Sequence, residues 1–90
     1  MHGALTLAQY IATHRATVVA DALTALAFAD AKALQPLAHR LSGTLASYSL
    51  SGPASRAREL ETVLRDGADD DTRARAVDEL RRALEAEDGR

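Results

Sequence analysis

Apolar residues recur along this chain at intervals of three and four, and nothing alternates with period two. That rhythm predicts helices and no strands. From about Leu5 to Phe28 there is neither glycine nor proline, and Leu7, Ile11, Val18, Ala22 and Leu26 supply one apolar face. A break at Thr13 is expected, setting a short first helix apart from a longer second one. Asp30 is placed to cap the next helix, whose stripe is Leu34, Leu37, Leu41, Leu45 and Tyr48. Pro36 removes a donor there and crowds the carbonyl four residues back, so a kink, or a start later than Asp30, is expected.

Ser49-Leu50-Ser51-Gly52-Pro53 is the clearest interruption. Ser51 is the expected N-cap of a third helix, with Pro53 in its first turn. Ala57, Leu60, Val63 and Leu64 give that helix a core face, and Gly67 is well placed to end it. Asp69-Asp70-Asp71 then puts negative charge where a last helix begins, with Ala74, Val77, Leu80 and Leu84 as its stripe. Glu87-Asp88-Gly89-Arg90 is expected to fray. Short connections predict an all-α, up-and-down antiparallel four-helix bundle, with a short extra N-terminal helix before Thr13. Residues 1–90 are expected to form one such domain.

Composition sharpens this picture. Hydrophobic residues are 47% but aromatics only 3%, so the core must come from Leu, Val, Ile and Ala, which suits close-packed helices. A net charge of −2 gives no general electrostatic reason to bind nucleic acid or an acidic membrane, and neither partner is expected. Arg73, Arg75, Arg81 and Arg82 alternate with Asp and Glu and read as a solvated helix face. Without cysteine there is no disulfide framework, thiolate metal site or cysteine nucleophile. No basic stretch leads into an apolar segment and no uncharged run suits a membrane span, so a cytoplasmic protein is expected.

The chemistry points to Leu37-Ala38-His39-Arg40-Leu41-Ser42-Gly43-Thr44. At about 100° per residue, His39 projects about 160° from the centre of the apolar stripe, into water. Gly43 lies on the same face one turn on. Glycine in a helix interior costs about 1 kcal/mol against alanine, so something is expected to approach closely there. His2 and His14 have no motif around them and receive no role.

These residues carry a resemblance. Ala38-His39-Arg40-Leu41-Ser42-Gly43-Thr44 is similar to the Ala-His-x-Leu-Lys-Gly-Ser run of histidine-containing phosphotransfer (HPt) domains. Leu26-Ala27-Phe28-Ala29-Asp30 resembles their Leu-x-x-Gly-Asp lead-in, and Ala57-Arg58-Glu59-Leu60-Glu61 their distal helix ending in Leu-Glu. Two positions depart from the pattern: Ser42 stands where the family has lysine, and Ser49 where it has a turn glycine.

The resemblance implies a phosphoryl carrier with His39 as acceptor through Nε2 and Glu61 holding Nδ1–H. Histidine suits the task because it is largely neutral at cell pH. The implied partner is the receiver domain of a response regulator or hybrid histidine kinase, docking over Gln35, His39, Ser42, Gly43 and Ala46, with Lys32 nearby. Arg40 and Arg65 are candidates to meet the phosphoryl charge. No cofactor is expected on this chain, and Mg²⁺ should come from the receiver. A monomer is expected, since four helices can close a core alone. The alternative is a non-phosphorylated helical module that docks on a receiver or kinase and regulates it. A complete histidine kinase is disfavoured, because 90 residues leave no room for a nucleotide-binding domain.

Overall fold

The structure, a computed structural model, describes residues 6–88. It contains α1 (Leu7–Phe28), α2 (Ala31–Ser47), α3 (Ser51–Arg65) and α4 (Asp70–Asp88), with no strand among the described residues. Helix α2 packs most extensively on α3, α3 on α4 and α4 on α1, while α1 touches α2 sparingly. Val19, Ala22 and Leu26 of α1 join Leu41, Leu45, Leu60, Leu80 and Leu84 in one buried cluster.

Helix α1 is continuous, so the break at Thr13 and the extra short helix are not present. A threonine hydroxyl can bond back within a helix rather than end it: Thr13 donates to the Gln9 carbonyl at 2.9 Å. The start is Thr6, which accepts from the Gln9 amide while the Gln9 side chain accepts from the Thr6 amide, a reciprocal cap. Leu7 does not reach the core and is 75% exposed. Ala12 shares a groove with Glu87 and Asp88 of α4. Leu5 and the side chain of Ile11 lie outside the described residues, as do His2, Gly89 and Arg90.

Asp30 caps α2, accepting from the Ala33 amide at 2.8 Å. The helix starts directly after it and runs through Pro36, which removes the expectation of a later start. Leu34, Leu37, Leu41 and Leu45 are buried, Tyr48 is half-buried, and Ala38 joins them.

The chain then reverses in three residues. The Leu50 amide donates to the Leu45 carbonyl at 2.9 Å and the Ser49 amide to Ala46 at 3.0 Å, with Ser49 in the left-handed region at φ 61°. This is a Schellman turn. It buries Leu50, which becomes the N-cap of α3 without any side-chain cap. Ser51 is therefore the first helical residue and not the cap, because the turn has already fixed the entry of the chain. The second reversal has the same pattern with Gly67 at φ 69°, and the Ala68 amide donates to the Val63 carbonyl at 3.2 Å.

Asp69 precedes α4 and accepts from the Thr72 amide at 2.8 Å. Hydrogen bonds from Thr72 hold its carboxyl below the usual value. The buried positions are Ala76, Leu80 and Leu84, while Ala74 is exposed. Six residues back from Leu80 is about 120° off its direction, whereas four back is about 40° off, so Ala76 takes the place expected of Ala74. Glu87 and Asp88 remain helical rather than frayed. The outer face carries ion pairs of Arg73 with Asp70, of Arg81 with Asp78 and Glu85, and of Arg82 with Asp78.

Candidate functional site

Because the turn at Ser49 folds α3 back along α2, residues on either side of it face each other across the two helices. His39 and Glu61 meet in this way. Nδ1 of the imidazole lies 2.5 Å from Oε2 of Glu61. The side chain of His39 is 77% exposed and that of Glu61 only 17%, so a sheltered carboxylate holds an open ring. An ionised carboxylate can only accept, so Nδ1 carries the hydrogen; a neutral ring then presents Nε2 with its lone pair. A short, charge-assisted bond of this kind fixes both the ring orientation and the tautomer.

The helices account for the placement. The stripe from Leu34 to Leu45 turns one side of α2 into the core and leaves His39 on the other. On α3, Ala57 and Leu60 are fully buried, which brings Glu61, the next residue, to the edge where α3 meets α2.

The neighbours of His39 divide into two flanks. Ser42 is half-buried, and its hydroxyl donates to the carbonyl of His39 at 2.8 Å, so it offers neither charge nor a free proton. Arg40 lies on the opposite flank, along the groove between α1 and α2 with Ala25 and Leu37. Lys32, Gln35 and Ala46 are exposed along α2, and Arg65 is exposed at the end of α3. Gly43 is exposed, and a side chain built there would meet nothing within 4 Å. The packing of this chain therefore does not require glycine at that position.

One charged residue of α3 was not anticipated as part of this region: Arg58, exposed and one turn before Glu61. Its three-residue spacing from Glu61 was the available signal. Among the described residues, no group of three or more His, Asp or Glu side chains is arranged to hold a metal ion. No helix among them is long and apolar enough to cross a membrane.

Comparison with protein families matches the Hpt domain over residues 6–89. No curated protein and no solved structure matches. Hpt domains serve histidine phosphotransfer in phosphorelays and interact with receiver domains and kinases. The four-helix bundle agrees with that match, and the chain belongs to the Hpt domain family.

Proposed function

We propose that this chain carries a phosphoryl group on Nε2 of His39 and exchanges it with the aspartates of receiver domains, in response regulators or hybrid histidine kinases. The His39–Glu61 pair supports this reading above all else. In the accepting direction, the lone pair of Nε2 attacks phosphorus. The P–O bond to the aspartyl carboxylate breaks, and its electron pair stays on that carboxylate. Nδ1 keeps its hydrogen throughout, and the positive charge that develops on the ring is offset by Glu61. Donation is the same step reversed. Glu61 acts by orienting the ring and holding its tautomer, as carboxylates do for histidines in nucleophile–base pairs.

Mg²⁺ belongs to the receiver in this scheme, since the carboxylate nearest the imidazole is already engaged with Nδ1. Phosphoryl transfer depends chiefly on positioning and on neutralising charge. The receiver docks over Gln35, His39, Ser42, Gly43 and Ala46, with Lys32 and Arg65 at the margin. The open space at Gly43 supports close approach there. We place this activity in the cytoplasm, in a monomer.

A second reading rests on Ser42, whose hydroxyl is turned back onto its own helix. It makes the chain a docking module that regulates a receiver or kinase without being phosphorylated. Transfer from a phosphorylated receiver domain separates the two. An acid-labile, base-stable label that is absent from His39→Gln is the expected result. Binding without any label would favour the docking module.

A further inference from the structure

A phosphoryl group on Nε2 adds close to two negative charges at neutral pH, yet no cation of α2 stands beside it on the α3 flank. Ser42 is neutral there, and Arg40 lies toward α1. The register of the two helices indicates where the counter-charge comes from. His39 faces Glu61, and α2 and α3 run antiparallel. Three residues forward on α2 and three back on α3 cover the same distance, about 4.5 Å along the axis. Ser42 is therefore level with Arg58, whereas Arg65, four residues beyond Glu61, is level with Gln35 and about 6 Å along the axis from His39.

The direction of Arg58 follows from its neighbours. Arg56 is tied to Glu59 at 3.1 Å and reaches Glu79 of α4 at 3.9 Å, so it marks the α4 side of α3. Arg58, two residues on, is turned by about 200° and falls on the α2 side. It forms no ion pair among the described residues, is exposed, and lines a shallow groove with Ser55, Glu59, Thr62 and Val63. Ser42 is small and its hydroxyl is folded away, leaving room for a long side chain to lean across.

We propose that Arg58 is the phosphoryl-binding cation of this site. Its guanidinium turns from the outer face of α3 over Ser42 and donates hydrogen bonds to the phosphoryl oxygens on His39. A planar guanidinium matches such oxygens with two parallel donors. The proposal rests on the reading of His39 as phosphoacceptor.

The test uses the whole chain, labelled by phosphoramidate and by a phosphorylated receiver, with Arg58→Ala, Arg58→Lys and the double variant Ser42→Lys with Arg58→Ala. Arg58→Ala should be folded, keep the label on His39 and bind the unphosphorylated receiver as before, yet transfer about tenfold more slowly. Arg58→Lys should recover most of the rate. The double variant should do so as well, because it returns a cation to the same level from the other helix. The Nε–H resonance of Arg58 should shift when His39 is phosphorylated. A full rate in Arg58→Ala, or a loss that neither lysine recovers, overturns the assignment of Arg58 alone. Absence of label from the unsubstituted chain overturns it together with the reading beneath it.

Discussion

His14 and His39 are both helical histidines whose Nδ1 is engaged, yet their surroundings differ in kind. His14 bonds through Nδ1 to the Tyr10 carbonyl of its own helix at 3.1 Å and lies against the Tyr10 ring, with centroids 4.0 Å apart. A carbonyl also only accepts, so a neutral ring at His14 has the same tautomer and the same free Nε2 as at His39. What His14 lacks is a charge that can follow the ring through a reaction. Its partner is a main-chain dipole supplied by any helix, whereas Glu61 is an anion supplied only by the folded α2–α3 hairpin. An imidazole in the right tautomer is thus a common product of helix geometry, and the carboxylate from another helix distinguishes the site.

The strongest way to break this contrast is to remove each ring in turn. His39→Gln should abolish the acid-labile label completely and His14→Gln should leave it at full level, as counted by transfer from a phosphorylated receiver. Label surviving in His39→Gln would move the site elsewhere.

Crowding the two faces should produce the next largest difference. Gly43→Arg should lower receiver-dependent labelling roughly a hundredfold by blocking approach while the helix content stays unchanged. Thr17→Arg, one turn from His14, should have no effect. Equal rates for both would count against the docking face on α2.

Removing each Nδ1 partner should sharpen the comparison further. Glu61→Ala should slow phosphorylation about tenfold, in proportion to one charge-assisted hydrogen bond at a partly exposed site. Tyr10→Ala keeps the main-chain acceptor and should leave the rate alone. Rate measurements at equal receiver occupancy decide this, and an unaltered Glu61→Ala would take Glu61 out of the chemistry.

The smallest effect concerns the turn on which only the His39 pair depends. Ser49→Gly should stabilise the fold by about 1 kcal/mol, because glycine adopts the left-handed conformation at no steric cost. Gly67→Ala at the matching turn should destabilise it by a similar amount. Chemical denaturation of the two variants gives both numbers, and opposite signs are the result to look for.

Much of this was legible in the sequence because helix periodicity reports a local quantity. The α2 stripe placed His39 in water, and Asp30 and Gly67 marked the ends of helices through their own backbone needs. What the sequence obscured depended on partners far along the chain. Leu7 continued an apolar pattern but stays exposed, and Ala74 gave way to Ala76 because the direction toward α1 and α3 selects the face. Ser51 looked like a cap until the Schellman turn buried Leu50 ahead of it. The resemblance supplied Glu61, but only the register of two packed helices puts Arg58 level with Ser42.

Pro36 has a consequence for recognition. It brings no N–H to the carbonyl of Lys32, four residues back, and both residues lie exposed on α2. One main-chain oxygen on the His39 side has thereby lost its usual helical donor and is left for water or a visiting donor. A receiver docking over this face as proposed would meet that backbone oxygen as well as side chains, and exchanging the neighbouring side chains would not erase it. Only replacing Pro36 itself would restore the missing hydrogen.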